Sequence, residues 1–247
     1  MLDHDNLEEF QDPVNYDLEF GGEKEKYVFF IDLAQQYTGQ VLELACGTGL
    51  TALPIAQLGI PVTGVDLSAP MLAHAKTKAK NLAIEFINAD ARNFRSPKRF
   101  SLIYLTGNAF QAFLTRSDQE ALLTTVRHHL EPEGVFAFET RNPSGTDLSL
   151  QETEQAWHSY TNGEGEVVQV TGTQQYEAIN QIMYWTTMRR WRDKMSVTRI
   201  ACRFTYPVEL GTLLHYNGFY IKEQYGDWDK SPLSEESPSI ISVCGLR

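Results

Sequence analysis

The sequence predicts a single α/β domain with a seven-stranded, mostly parallel sheet and an antiparallel β subdomain inserted after the fifth strand. Three observations lead to this prediction. Up to about residue 140, short apolar runs alternate with amphipathic stretches, which is typical of parallel strands joined by helices. The chain then favours strands, with no helical pattern, until about residue 205. A helix and two strands follow, so the first pattern resumes.

The first half of the chain supports these elements one by one. Residues 1–22 are polar and acidic, as in an N-terminal arm. Apolar residues recur at three- and four-residue spacing after that arm, which indicates a helix over 23–36. Ser68 and Pro70 have the residue types that begin helices. The remaining predictions are strands at 40–45, 61–65, 84–87, 100–105 and 134–139, and helices at 51–58, 69–80 and 117–129.

The second half changes character. Turn-forming residues separate stretches rich in β-branched and aromatic side chains, which predicts antiparallel strands. Gly218 ends a predicted helix at 207–216. The strands are predicted at 167–172, 173–176, 181–191 and 197–204, with a final hairpin at 219–225 and 239–245. The chain therefore divides into a main domain, 1–144 and 206–247, and an inserted subdomain, 145–205.

Charge and composition restrict the partners. A formal net charge of −11 argues against DNA or long RNA, because their binding needs a basic face. Three scattered cysteines suggest a reducing compartment, and no ligand spacing indicates a metal site. No apolar run approaches the ~20 residues of a membrane span. We expect a cytoplasmic protein with a small-molecule partner, no DNA and no membrane, and with the oligomeric state left open.

The strongest chemical signal is the segment VLELACGTG at residues 41–49, which joins a buried strand to a helix. Glycines in such a turn let the backbone approach a ligand, and the helix N-terminus offers unpaired N–H groups. A dinucleotide site is the competing interpretation. Glu43 at the end of the strand would repel a pyrophosphate and attract an amino group. The segment therefore favours a nucleoside that carries an amino acid over NAD.

Residues 43–49 resemble motif I of class I S-adenosylmethionine-dependent methyltransferases, with Ala45 in place of the first glycine. Asp66 is similar to the acidic residue that binds the ribose hydroxyls of the donor. Met71 is similar to the apolar residue beside the adenine, and Asp90-Ala91 to the pair near the adenine amino group. The resemblance covers about residues 25–142 and 207–247. It implies a Rossmann-like fold, S-adenosylmethionine as cofactor and methyl transfer as the activity.

The resemblance also implies a donor site. Alternatively, Asp66 would only complement a helix dipole, Asp90 would be a turn residue and Met71 a core residue. No catalytic acid or base is predicted, because methyl transfer from a sulfonium depends mainly on positioning. The expected donor-binding residues are Tyr16, Glu43, Ala45, Cys46, Gly47, Gly49, Asp66, Leu67, Met71, Asp90, Ala91, Thr106 and Asn108.

The acceptor is less readable from the sequence. The family's nucleic-acid-methylating branches carry an (N/D)PP(Y/F) signature after the fourth strand, where this chain has Gly-Asn-Ala-Phe at 107–110. That stretch is similar to bacterial small-molecule enzymes, including sugar N-methyltransferases. We therefore expect methyl transfer to a nitrogen or oxygen of a small molecule. The alternatives are a tRNA or protein methyltransferase and a non-catalytic S-adenosylmethionine-binding protein.

The inserted subdomain is the expected acceptor lid, because open α/β sheets bind ligands at the carboxyl ends of their strands. Glu139 is expected to be exposed in the same crevice. The aromatic residues of the subdomain are expected there too, unless they fill the core of a small sheet; they are Trp157, Tyr160, Tyr176, Tyr184, Trp185 and Trp191. The predicted acceptor contacts are Gln111, Arg141, Asn142, Trp185 and Arg189.

Overall fold

A computed structural model describes residues 6–22, 24–143 and 148–247. The predicted division between residues 144 and 145 therefore lies outside the described residues. The helices and strands are, in chain order, α1 (Pro13–Phe20), α2 (Lys24–Gln36), β1 (Val41–Leu44), α3 (Ala52–Gln57), β2 (Val62–Asp66), α4 (Ala69–Lys78), β3 (Ile84–Asn88), β4 (Phe100–Leu105), α5 (Arg116–His129), β5 (Leu130–Arg141), β6 (Gln151–Thr161), β7 (Val167–Glu177), β8 (Ile182–Trp191), β9 (Lys194–Arg203), α6 (Pro207–Tyr216), β10 (Phe219–Tyr225) and β11 (Ser239–Leu246).

Seven strands form the main sheet in the order β10-β11-β5-β4-β1-β2-β3. Strands β1 to β5 are parallel, whereas β11 is antiparallel to both β5 and β10. The predicted fold class is confirmed, including the final hairpin. The strand order reverses between β1 and β4. Such a reversal leaves a crevice at the carboxyl ends of the strands, and this is where α/β proteins bind ligands.

Strand β4 shows why the main sheet was readable from the sequence. All six of its residues are buried, because helices cover both faces of the sheet. Ile103 and Leu105 pack into the core formed with α5 and α6. Leu102 and Tyr104 pack on the opposite face, against α2 and α3. A strand buried on both faces is a continuous apolar run, which the sequence displays directly.

Strands β6 to β9 form a separate antiparallel sheet in sequential order, which we call sheet B. Two sequence predictions were wrong here. The strand β6 was missed because its residues, QETEQAWHSYT, are mostly polar and exposed. The two strands predicted at 167–172 and 173–176 are one strand, β7, whose pairing with β8 continues through Gly172 and Thr173. Gly172 has a packing role, because a Cβ there would lie 2.0 Å from the Trp157 ring.

The N-terminal arm, residues 6–22, connects sheet B with the loop after β1. Asn6 exchanges two hydrogen bonds with the backbone of Ala201 in sheet B, at 2.9 and 2.7 Å. At the other end, Asp17 of α1 accepts hydrogen bonds from Thr48 and Lys78. The arm is therefore fastened to both units of the fold. Within the described ranges, no helix is long and apolar enough to cross a membrane.

Candidate active site

A cleft of about 340 Å³ lies at the carboxyl ends of β1 and β4, at the point where the strand order reverses. The loop after β1 forms its floor, and Thr106 and Gly107 after β4 form one side. The N-terminal helices cover it with Tyr16 from α1 and with Lys26 and Tyr27 from α2. Three segments far apart in sequence thus enclose one space.

The loop after β1 turns sharply, with left-handed backbone at Ala45, Gly47 and Gly49 (φ of +56°, +53° and +77°). Its two glycines serve different purposes. A Cβ on Gly49 would lie 3.3 Å from Leu53 and from Phe86, so this glycine permits close packing of α3 and the sheet. A Cβ on Gly47 would contact only Met71, and Gly47 lines the cleft. Only Gly47 therefore leaves room for a ligand.

Ala45 occupies a backbone conformation that costs an L-residue roughly 1–2 kcal/mol relative to glycine. We expect Ala45→Gly to raise the free energy of unfolding by about 1 kcal/mol, seen as a Tm increase of about 2–4 °C in a thermal melt. Ala121→Gly in the interior of α5 is the matched control and should lower stability by about 1 kcal/mol. A lower Tm for Ala45→Gly would contradict the strain at this position.

Two acids flank this loop, one buried and one partly buried. Glu43 of β1 is buried, and its Oε2 accepts a hydrogen bond of 3.0 Å from the Tyr104 hydroxyl. Burial, with a smaller effect from the nearby Asp66 charge, raises the pKa of Glu43 well above its usual range. Asp66, which ends β2, accepts hydrogen bonds of 2.7 Å from the backbone N–H groups of Gly47 and Ser68. Burial also raises the pKa of Asp66, although these bonds oppose the shift.

A third acid lies behind the loop after β4. Glu139 was expected to be exposed in the crevice, but the structure shows it 2% exposed, so this expectation was wrong. Its Oε1 accepts hydrogen bonds from the Asn108 N–H at 3.0 Å and, at 3.4 Å, from the Thr106 hydroxyl. The loop of residues 106–108 thus covers it. Burial raises the pKa of Glu139 to about 7.

The cleft is therefore electrostatically suited to a cation. Glu43, Asp66 and Glu139 are buried or nearly so at or beside it, and Lys26 is the basic residue in its lining. Placing the negative pyrophosphate of a dinucleotide among these groups would be unfavourable. A positively charged ligand would instead stabilise the ionised carboxylates. S-adenosylmethionine carries a sulfonium and an ammonium group, so the residues present fit this donor.

Comparison with known families decides the class of the protein. A family model described as "Methyltransferase domain" matches residues 41–134, the segment that contains the loop after β1, Asp66 and the loop after β4. These residues are a methyltransferase domain. It is of the Rossmann-like class I type, which depends on S-adenosylmethionine, and the chain is accordingly a methyltransferase. The expected activity and cofactor are thereby confirmed.

Individual proteins resemble the methyltransferase over most of its length. The cypemycin N-terminal methyltransferase of a Streptomyces species is 27% identical over 210 residues, which cover 82% of this chain and 81% of that protein. Among solved structures, the CcbJ methyltransferase of Streptomyces caelestis superposes with a TM-score of 0.83 at 21% identity, over 98% and 99% of the two chains. An S-adenosylmethionine-dependent methyltransferase from Clostridium acetobutylicum ATCC 824 gives 0.79, also at 21% identity, over 94% and 96%. At 21% identity, each of these two solved structures shows that its protein shares the fold of this chain.

The structure brings many of the expected donor-binding residues to the cleft of the methyltransferase. Those in its lining are Tyr16, Glu43, Ala45, Cys46, Gly47 and Thr106. Tyr27, which with Tyr16 was expected to cover the cofactor, is in the lining as well. Sequence reasoning did not include the other lining residues among the expected donor contacts, which are Lys26, Thr48, Leu50, Thr51 and Gly107. Thr48 and Gly107 stand inside recognised segments and could have been included. Lys26 lies on α2, and only the packing of that helix places it here.

Other expected donor residues lie beside or behind the cleft. The Asp90 carboxylate accepts two hydrogen bonds from the Arg92 guanidinium, at 2.6 and 3.0 Å. These bonds lower the pKa of Asp90. Leu67 is half exposed, whereas Met71 and Ala91 are buried, Ala91 in the core next to α5. Gly49 packs against α3, and Asn108 has left-handed backbone with its N–H bonded to Glu139. A donor role for these residues stays a prediction.

A second cavity of about 660 Å³ lies between the N-terminal arm and sheet B, and Tyr16 lines both it and the cleft. Its lining contains one guanidinium, that of Arg189. Arg189 donates hydrogen bonds of 2.7 Å to Glu9 and to Glu19, both of the arm. The acidic lining residues are Glu8, Glu9, Asp12 and Glu19, and the aromatic ones are Tyr16, Phe20, Tyr160 and Trp191.

The expected acceptor contacts are dispersed. The Arg141 guanidinium lies 5.4 Å from the Trp185 ring centre, so these two are brought together. The Asn142 amide instead donates to the carbonyls of Ser234 and Ser237. Gln111 is buried within the turn after residue 108.

The aromatic residues of sheet B are not all at the crevice. Tyr160 and Trp191 line the second cavity. Tyr176 and Trp185 pack against Phe204, Trp157 covers Gly172, and Tyr184 lines a separate surface groove. For Trp157, Tyr176 and Trp185 the structure agrees with the alternative, in which aromatic side chains fill the core of a small sheet.

Proposed function

We propose that the methyltransferase transfers a methyl group to an amino nitrogen of a small-molecule acceptor, and that this acceptor occupies the second cavity. The observation that carries the proposal is the charge of that cavity. Two guanidinium groups, those of Arg189 and Arg199, pair with three of its four carboxylates, so the cavity keeps a negative net charge that attracts an ammonium group. The aromatic side chains also suit a cation. An alcohol would gain nothing from this charge. The name of the cypemycin relative, which specifies an N-terminal substrate, agrees with an amino acceptor.

A tRNA acceptor is disfavoured by the pairing of the arginines near the cavity. Arg189 is bonded to Glu9 and Glu19, Arg190 to Glu154, and Arg192 to Glu166. These guanidinium groups are already neutralised by carboxylates. A nucleic acid would have to displace those carboxylates, with a net charge of −11 opposing its approach.

The positions of Asp66, Glu43 and Tyr16 relative to the two cavities suggest the role of each residue. S-adenosylmethionine, when bound, supplies a methyl group on a positively charged sulfur. We assign its ribose to Asp66 and its amino group to the neighbourhood of Glu43. Tyr16 separates donor from acceptor and excludes water from the space between them. Residues 145–205 are the proposed acceptor-recognising unit, with sheet B forming one wall of the second cavity.

A thermal-shift experiment tests the donor. A ligand that binds only the folded state stabilises it by RT ln(1 + [L]/Kd), roughly 2.7 kcal/mol at a hundredfold excess over Kd. We expect S-adenosylhomocysteine to raise the Tm and NAD to leave it unchanged. A shift with NAD and none with S-adenosylhomocysteine would refute the donor assignment.

A screen with labelled methyl donor tests the acceptor. Pools of small amines and of matched alcohols should give label in the amines alone. Label confined to alcohols, or to added tRNA, would replace the amine proposal while leaving the donor site intact.

A further inference from the structure

Glu139 is a buried carboxylate with one oxygen unused. Its Oε1 is bonded to the loop of residues 106–108, but its Oε2 has no hydrogen-bond partner among the described residues. A buried carboxylate oxygen without a donor is costly, and such atoms usually have a water or a ligand as partner. A partner for the Glu139 Oε2 must carry an N–H or O–H group.

The sheet register places Glu139 on the cleft side. Glu43 pairs with Tyr104, and Tyr104 with Ala137, so these side chains share one face of the sheet. Glu139 follows Ala137 by two residues and therefore lies on that same face. Its bonding partners, Thr106 and Asn108, flank Gly107, and Thr106 and Gly107 line the cleft. The carboxylate is thus separated from the cleft by a single loop.

Glu139 lies on the acceptor side of this cleft. The donor's ribose is assigned to Asp66, the last residue of β2, and the family resemblance places the adenine near Asp90, which follows β3. Strand β5 lies two places from β1 on the opposite side, about 10 Å away at ordinary strand spacing. With the donor extending from β3 across β1 to the loop after β4, the space over β5 is left to the methyl acceptor.

We propose that an acceptor held in the second cavity extends its ammonium group past Tyr16, the residue shared by both cavities, to the unpaired Oε2 of Glu139, which so acts as a further acceptor-binding residue. The inference rests on the proposed amine acceptor. A carboxylate in this place can also take one proton from the ammonium. The products are a neutral amine and a neutral carboxyl group, so atoms and charge balance. The amine then has the free electron pair that an N–CH₃ bond requires.

The charged groups around Glu139 agree with this role. They are Lys26 on α2 and Glu43 on β1, whose Oε2 accepts a hydrogen bond from the Tyr104 hydroxyl on β4. Lys26 favours the ionised carboxylate, whereas burial disfavours it and brings the pKa to about 7. Near neutral pH the carboxyl is therefore part protonated. A bound ammonium would drive it to the ionised form and release a proton.

Calorimetry on the complex with S-adenosylhomocysteine tests this directly. The probe is cyclohexylammonium, and cyclohexanol is its neutral isostere. We expect the wild-type complex to prefer the ammonium and to release about half a proton per bound probe at pH 7, measured from titrations in buffers of different ionisation enthalpy. Glu139→Gln should bind the probe at least tenfold more weakly and release no proton. Its S-adenosylhomocysteine affinity should stay within about twofold, because the amide oxygen can still accept from Asn108.

Glu209→Gln is the control, since Glu209 also has a buried oxygen without a partner among the described residues but pairs with Arg203 away from both cavities. It should match the wild type. Equal probe binding by Glu139→Gln and the wild type would overturn the role of Glu139 and leave the amine proposal standing. No preference for the ammonium in the wild type would overturn both. A tenfold loss of S-adenosylhomocysteine affinity in Glu139→Gln would assign the carboxylate to the donor instead.

Discussion

Asp66→Ala is expected to weaken binding of S-adenosylhomocysteine by about tenfold to a few hundredfold. Each hydrogen bond from a ribose hydroxyl to an ionised carboxylate contributes roughly 1.5–3 kcal/mol. The change also removes the acceptor for the backbone N–H groups of Gly47 and Ser68, so the loop loses its support. Isothermal titration calorimetry measures the affinity, and circular dichroism confirms the fold.

Asp66→Asn separates the two contributions. Its amide oxygen can still accept one backbone hydrogen bond, but the charge is gone, so we expect an intermediate loss of affinity. If Asp66→Ala bound S-adenosylhomocysteine as the wild type does, Asp66 would serve only the loop and the start of α4.

Arg189→Ala is expected to release the N-terminal arm. Arg189 is the cation that Glu9 and Glu19 share, and all three side chains are at most 12% exposed. Removing one member of a buried ion pair costs roughly 3–5 kcal/mol. Here Glu19 keeps His158 and Glu9 keeps the Thr198 hydroxyl as partners, but both lose their guanidinium. The arm can escape this cost by detaching. We therefore expect rapid cleavage by a protease within residues 6–22, and weaker S-adenosylhomocysteine binding because Tyr16 leaves the cleft.

Arg190→Ala is the matched control on the same strand. Its partner is Glu154, and both side chains are well exposed, so the pair contributes at most about 1 kcal/mol. Protease resistance and affinity should remain those of the wild type. If the two variants behaved alike, the arm would be held by other contacts, and Arg189 would be free to serve as the acceptor contact that the sequence suggested.

The central strands of the main sheet were predictable because they are buried on both faces and appear as apolar runs. The segment VLELACGTG identified the loop after β1 for a similar reason, since its turn and the residue types that form it are contiguous. Strand β6 was not predictable, because exposure allows its residues to be polar. Glu139 was placed correctly along the chain but wrongly assigned to solvent. Its burial depends on a loop about thirty residues earlier that folds over it.

The position of Lys26 in the cleft shows the same dependence on tertiary packing. Nothing in a helical repeat distinguishes a lysine that turns towards a crevice from one that faces water. Charge balance in the cleft, which decides which ligand fits, could therefore not be read from the sequence alone. The donor-binding motif could be recognised in the sequence, whereas the charges that surround the bound ligands could be assigned only from the folded structure.

Tyr16 belongs to both cavities, and this has a thermodynamic consequence. The Tyr16 ring, on helix α1, forms a wall common to the two cavities, so a ligand that contacts the ring in one cavity changes the shape of the other. Two sites joined in this way are coupled, and the coupling free energy must be identical in both directions. If a bound acceptor changes the affinity for the donor product by some factor, the bound donor product changes the affinity for the acceptor by the same factor.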